Sequence, residues 1–412
     1  MICNSTCRRF SSSALVFCCF AALFPPPALS QPFTTQPAIA HPLPDLWLYC
    51  PTNLLVDQNI TNLEQLFDRA AAAGYSKILI ADSKLGFLQD QPPKYFANIE
   101  KVKARAAQDH LELIPSIFPI GWSNDILWND PNLAEGIPVA NALFVSNGSA
   151  ATLQPDPPIT LKGGDFSNIN LWDWHDDSVT QDGGAAKVQN PPGNARIVQK
   201  VKVSPNRQYH ISVRIKTQNF TTTPEVKVLA NQHDSMALNY DDLGVQHSQD
   251  WTTHHAVFNS LDNTEVTLYL GIWGGSQGTL WWDDCSFDEV GLLNVLRRPG
   301  APVTVSIENG QTLTEGTDYA PISDPRMGNQ PWNGSYEVWH TPPAITLLKN
   351  LPNNTRLRVN YSHPMIIYSG SVCICPSEPK TTKILQAQAQ HVHPVALRQR
   401  CEGVRNALAC RA

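Results

Sequence analysis

Glu378 follows a short apolar run, Met365-Ile366-Ile367-Tyr368 through Val372-Cys373-Ile374-Cys375, and sits in Ser377-Glu378-Pro379 just ahead of a segment with helical spacing. A carboxylate between a strand and a helix is where (β/α) barrels place reacting groups, because the loops at the C-terminal strand ends converge on one pocket. Earlier strand ends supply Asn53, Asp82 with Lys84, and the cluster Trp122, Asn124 and Asp125. Carboxylates, an amide and a tryptophan together suit a sugar site: the indole stacks on a pyranose face while amides bind hydroxyls. Glycosyl transfer needs two carboxylates flanking the scissile bond. Counted as the end of a fourth strand, Glu378 supplies one of them. Residues 379–412 are too few for the four further βα units that bring a complete barrel to roughly 250 residues. The expectation is a truncated barrel that does not hydrolyse glycosides. Glu378 also serves without chemistry as a carboxylate at a helix N-terminus, and Asp82 as a loop or capping residue.

The elements that would position these groups begin at Leu46. Trp47-Leu48-Tyr49-Cys50 reads as a strand, and Leu63, Leu66, Phe67, Ala70 and Ala71 recur at helical spacing, with Thr61 or Asn62 as cap and Gly74 as stop. A second strand, Lys77 to Ala81, precedes a helix carrying Phe96, Ile99, Val102, Ala106 and Ala107 on one face, and Leu111 to Ser116 makes a third strand. Strands alternating with helices predict parallel βαβ units.

From Asn147 to Pro158 the pattern breaks into Ser, Gly and Pro, and the helical period is then lost for roughly 200 residues. Short alternating runs replace it: Ala195 to Val203, Tyr209 to Lys216, Glu225 to Ala230, Trp251 to Phe258, Val266 to Trp273 and Thr279 to Asp283. Regular short strands between turn signals predict a β-sandwich. A further β stretch, Leu293 to Tyr361, is too small to stand alone and is expected to pack against a neighbour.

The formal charge is −6 over 412 residues, with no basic stripe and no aromatic-basic motif, so neither nucleic acid nor an anionic membrane surface is the expected partner. A neutral substrate fits better. Arg8 and Arg9, the apolar stretch Ala14 to Phe24, and Ala28-Leu29-Ser30 form the three regions of a secretory signal peptide. The apolar stretch is too short to span a bilayer as a helix of ~20 residues. The expected location is secreted or periplasmic. After the leader the cysteines are Cys50, Cys285, Cys373, Cys375, Cys401 and Cys410, with no Cys-x-x-Cys, so neither a zinc site nor a dense disulfide scaffold is expected. Cys373 and Cys375, alternating with Val372 and Ile374, read as apolar filler. His391 and His393 stand at i and i+2, which do not share a helix face.

Two resemblances sharpen these expectations. Ser377-Glu378-Pro379 resembles the Asn-Glu-Pro that ends the fourth strand in clan A glycoside hydrolases, which implies a general acid/base role for Glu378. Ser377 replaces the asparagine that in that clan helps hold the sugar 2-hydroxyl, and the clan's nucleophilic glutamate lies on a seventh strand for which there is no counterpart here. Gly164-Asp165-Phe166, Val203-Ser204-Pro205-Asn206-Arg207-Gln208-Tyr209, Val213-Arg214-Ile215-Lys216, Asp250-Trp251 and Leu280-Trp281-Trp282-Asp283-Asp284 resemble family 4/9-type carbohydrate-binding modules. That likeness implies a jelly roll binding polysaccharide through surface aromatics, for which Trp172, Trp174, Trp273 and Trp281 are the candidates. It also implies a structural calcium, for which Asp283 and Asp284 are the available carboxylates, although calcium takes six to eight oxygens. Core or edge packing is the plainer role for any one tryptophan. For Trp281-Trp282, alternation sends the two rings to opposite faces, so at most one joins the core.

The predicted architecture is therefore multidomain, α/β plus all-β: a partial (β/α) barrel interrupted by a jelly-roll sandwich and a small β domain. Its parts are a signal peptide at 1–30, a linker at 31–44, three βα units at 45–155, the sandwich at 156–292, the small β domain at 293–362, a fourth βα unit at 363–394 and an irregular tail at 395–412. Function is expected to lie in acting on or binding polysaccharide or oligosaccharide, with Asp82, Lys84, Trp122 and Asn124 as further sugar contacts. A non-catalytic binding protein is the alternative. A half barrel would leave strand edges and helix faces unburied.

Overall fold

The computed structural model describes residues 45–117, 124–232, 234–368 and 371–397. The leader, the linker, Trp122 and the end of the tail lie outside them.

Three parallel strands open the fold: β1 (Trp47–Pro51), β2 (Lys77–Ala81) and β3 (Glu112–Ser116), joined through α1 (Asp57–Ala72) and α2 (Pro93–Gln108). Cys50, Ile78, Ile80 and Leu113 turn toward the helices and share a core with Leu63, Phe67, Ile99 and Val102. The α1 helix starts ahead of the predicted caps Thr61 and Asn62, with Asp57 in its first turn, where a carboxylate suits the helix dipole. It ends as expected: Gly74 takes φ +83°, a left-handed conformation that glycine adopts without a Cβ penalty.

The expected fourth βα unit is corrected. After α3 (Asn124–Leu127), residues 133–135 take the backbone bonds that a fourth strand would have offered to β3. Glu135 N–H donates to Cys373 O at 2.8 Å and Cys375 N–H to Leu133 O at 2.7 Å. The parallel sheet therefore stops at three strands among the described residues. The segment expected to close the α/β piece also belongs elsewhere. It forms β4 (Gly136–Asn147) and β5 (Ala150–Leu153), which join a different sheet.

The sandwich follows. Its strands are β6 (Trp174–His175), β7 (Val179–Asp182), β8 (Ala185–Gln189), β9 (Ala195–Lys202), β10 (Gln208–Gln218), β11 (Glu225–Ala230), β12 (Gln249–Asn259), β13 (Glu265–Ile272) and β14 (Thr279–Val290). They make one sheet ordered β11-β13-β9-β6 and another ordered β12-β10-β14-β8-β7. Alternation builds the core between them. Val266, Leu268, Leu270 and Ile272 of β13 meet Tyr209, Ile211, Val213 and Ile215 of β10, with Trp282 sealed among them. Each such fully buried apolar side chain contributes roughly 1.5–3 kcal/mol.

The small β domain takes its missing strands from upstream. β15 (Thr304–Ile307), β16 (Thr312–Leu313), β17 (Ile345–Thr346) and β18 (Arg356–Pro364) complete a six-stranded sheet ordered β16-β15-β18-β4-β5-β17. Val139, Ala142 and Phe144 of β4 share its core with Val305, Leu357, Val359 and Tyr361. The chain ends in β19 (Ile366–Tyr368), β20 (Ser371–Val372) and α4 (Pro379–Leu397); α4 returns to β3, and Gln388 Nε2 donates to Gly86 O at 2.6 Å.

Sandwich and six-stranded sheet meet through buried polar contacts. Arg207, paired within the sandwich with Glu289 at 3.0 Å, donates across to Asn141 O at 2.6 Å, while the Asn259 amide donates to His363 Nε2 at 3.0 Å. Trp339 stacks on His210, ring centroids 3.5 Å apart and nearly parallel. Burial pushes His363 down to about 4, and burial with the neighbouring His255 pushes His210 down to about 3.

Both imidazoles are neutral in the fold yet protonate near 6.5 once exposed, so their stabilisation is complete above that value and is lost as pH falls toward 4 and then 3. Each makes the stability slope by up to about 1.4 kcal/mol per pH unit in that window. Asp241, raised to about 6 by burial, and Asp283 and Glu289, also raised by burial, work in the opposite direction, while His254 and His255, lowered by burial, add to the imidazole trend. Urea midpoints are expected to fall from pH 7 to pH 5, and the fall should be shallower in His363→Gln. A variant falling as steeply as the parent would remove His363 from this account.

Candidate functional site

Because β13 and β9 bury alternate residues, the remainder stand on the outer face of the four-stranded sheet. Cross-strand register places Lys227, Tyr269, Val198 and Trp174 in one row over all four strands. Neighbouring strands lie about 4.8 Å apart, so Trp174 and Tyr269 are separated by roughly 10 Å. They border an open concavity of about 560 Å³ whose other walls are Asp173, Arg196, Val198, Lys200 and Thr267.

The aromatic groups are held in place by charge. Asp176 accepts from Arg196 Nε at 2.9 Å, from Nη2 at 3.3 Å and from the Arg196 backbone N–H at 2.9 Å. The guanidinium so fixed lies over Trp174, 5.2 Å from the ring centroid, leaving the indole 48% exposed. Asp176 raises the Arg196 pKa further, chiefly through this bond. Gly271 stands opposite Arg196, and a Cβ there would come within 2.9 Å of Arg196 Cγ and 2.5 Å of Ala195 O. Only a bare backbone lets the arginine lie against the sheet. At the other side Lys227 Nζ sits 3.5 Å from the Trp273 ring centroid, and Trp273 meets Tyr269 with centroids 6.2 Å apart. Thr267 donates to Asn231 Oδ1 at 2.6 Å, whereas Lys200 is exposed and its ammonium has no ion-pair partner among the described residues. Aromatic rings beside ammonium and guanidinium donors and a hydroxyl acceptor can stack on apolar ring faces and bind the hydroxyls around them.

The predicted site residues do not converge. Trp174 and Trp273 belong to this surface. Trp172 does not: it is 4% exposed, stacks on Phe166 at 5.3 Å and donates from Nε1 to Gly163 O at 3.0 Å, so it is a core residue. Trp281 lies on the opposite sheet, donating to Asp182 at 2.9 Å between Lys187 and Lys216, while Trp282 is 1% exposed in the core. Asp82 is buried and structural. It accepts from Leu54 N–H at 2.8 Å and from the Lys84 backbone at 3.1 Å, tying β1's following loop to the 3-10 turn at Ser83–Asp90, with the Lys84 ammonium 3.3 Å away. Burial, with Asp82 alongside, drives the Tyr95 phenol far above its ordinary range. Asn124 begins α3, and its side chain, like Trp122, lies outside the described residues.

Glu378 stands just before α4, its carboxylate 3.8 Å from Arg298 and 3.5 Å from the Lys380 backbone N–H. No fourth parallel strand carries it among the described residues, and its place ahead of α4 matches the helix-terminus role. Asp283 and Asp284 sit where β14 slips register against β10. Asp284 is paired with Arg214 at 2.7 Å, and Asp283 accepts the Asp284 N–H at 2.8 Å. Asp284 therefore already faces a cation. Among the described residues no group of three or more His, Cys, Asp or Glu side chains is arranged to hold a metal.

Tyr269, Arg196, Lys200, Thr267 and Asp173 were missed from sequence. The usable signal was Glu265-Val266-Thr267-Leu268-Tyr269-Leu270, whose strict alternation puts Thr267 and Tyr269 opposite the core.

No protein-family model and no curated protein matches this sequence. Solved structures do match over part of it. One described as "CBM4 structure and function" is 17% identical, covering 32% of this chain and 100% of its own, with a TM-score of 0.26. A family 16 carbohydrate-binding module is 19% identical, covering 31% of this chain and 98% of its own, at 0.25. The family 22 module and catalytic module of Clostridium thermocellum xylanase 10B, complexed with xylohexaose, is 14% identical over 38% of this chain and 29% of its own, at 0.21.

Calcium is expected to leave the melting temperature unchanged relative to chelator, because Arg214 already neutralises Asp284. A rise of several degrees with calcium would restore the metal site.

Proposed function

We propose that this chain is an exported polysaccharide-binding protein that takes a glycan on the outer face of the four-stranded sheet. The observation that carries this is the row of Trp174 and Tyr269 across one concavity, with Trp273 at its side, hydrogen-bond donors from Arg196 and Lys200 between them and the Thr267 hydroxyl oxygen as an acceptor. An open groove admits a polymer passing through, whereas a closed pocket would take only a terminus. Arg196 and Lys227 occupy ring faces of Trp174 and Trp273, so the indoles are fixed before any ligand arrives, and less side-chain freedom is lost on binding.

This function needs no bond cleavage. Binding accounts for the aromatics of the groove, Trp174 and Tyr269, while Glu378 is engaged by Arg298 and is not among the residues of the groove. The export proposed here rests on the leader-like pattern of residues 1–30.

Depletion assays against insoluble and soluble polysaccharides check the proposal. Trp174→Ala and Tyr269→Ala are each expected to weaken retention by about tenfold or more, equivalent to about 1.4 kcal/mol. Trp281→Ala should retain parental binding. Parental affinity in both of the first two variants, or no polysaccharide retained by the parent, would overturn the assignment.

A further inference from the structure

A second concavity, about 310 Å³, lies between the sandwich and the six-stranded sheet, at the far end of the five-stranded sheet from Trp281. Ligand pockets of this order commonly form at such domain junctions, with apolar walls and a few polar groups that fix orientation. Its apolar walls include Trp339, Phe144, Leu153, Pro342 and Pro343.

Its titratable groups are His210, Asp288 and Glu289. Glu289 is spent on Arg207 at 3.0 Å and on the Asp156 N–H at 3.4 Å. His210 is 6% exposed, clamped between Trp339 and His255, with its Nε2 2.9 Å from His255 Nδ1; burial keeps it neutral. Asp288, opposite His210 in the β10–β14 register, is exposed at the cavity and has no ion-pair partner among the described residues. The cavity thus offers one uncommitted negative charge beside an indole and a proline wall. A carboxylate next to an aromatic face is the chemistry that recognises an ammonium group.

We propose that this cavity is a second ligand site taking a small organic cation, such as an amine-bearing monosaccharide, with its ammonium on Asp288 and its body against Trp339 and the two prolines. The site is distinct from the groove of the four-stranded sheet and does not depend on what that groove binds.

Calorimetric titration of the full chain with glucosamine, at mildly acidic pH where its amine is protonated, tests this against glucose as the uncharged counterpart. Saturable millimolar binding of glucosamine is expected, at least fivefold tighter than glucose. Asp288→Asn should reduce glucosamine to the level of glucose, and Trp339→Phe, which keeps a ring on His210, should weaken both. Trp174→Ala should change neither. Equal affinity for the two sugars, unchanged binding in Asp288→Asn, loss of the signal in Trp174→Ala, or no saturable binding at all would each overturn the proposal. Circular dichroism of each variant separates loss of the site from loss of the fold.

Discussion

The two-residue period of the sandwich strands is the constraint from which the rest follows. Val266, Leu268, Leu270 and Ile272 can enter the core only if Thr267 and Tyr269 leave it, and the same rule on β9 sends Ile197 and Val201 inward while Arg196, Val198 and Lys200 face out. Strand pairing then fixes the outward residues side by side. A one-residue slip would turn every member of the row into the core, so the hydrophobic cost of slippage also holds the candidate groove together.

The polar junction beside the sandwich has a different basis. β4 and β5 leave the α/β piece because β18 offers β4, and β17 offers β5, an antiparallel partner, and Val305 and Tyr361 share their core. That exchange brings Asn141 to Arg207 and His363 to Asn259, closing buried polar groups that would be costly if left unpaired. Removing one member of the Arg207–Glu289 pair would strand the other charge, a loss of roughly 3–5 kcal/mol for buried pairs. In contrast, α1 and α2 pack on one face of the parallel sheet. Tyr49, Leu79 and Ile114 form an in-register row on its other face, and Tyr49 is 53% exposed.

Local pattern made much of this fold legible. The three parallel strands, the two helices between them, the stop at Gly74 and the sandwich strands all follow from periodicity and turn chemistry, which act over a few neighbouring residues. The opposite fates of Trp281 and Trp282 were readable for the same reason. The fourth strand was not. Residues 365–375 have the apolar texture of a buried strand, but texture does not name a partner, and residues 133–135 won the competition for their backbone bonds. Trp172 misled in a similar way, since an exposed-looking Trp-Asp-Trp segment hides one indole in the core beside Phe166 and shows the other.

The sequence by itself determined which residues alternate, where helices stop and which segments are all-β, because these depend on backbone geometry and side-chain size close by in the chain. Only tertiary structure decided that Asp173, Trp174, Arg196, Thr267 and Tyr269 share one concavity, and that Asp284 faces Arg214. Those groups are separated by up to about a hundred residues in sequence and meet through strand order and register. That order is set by the competition among all strands for partners and for a common core, which no single segment encodes.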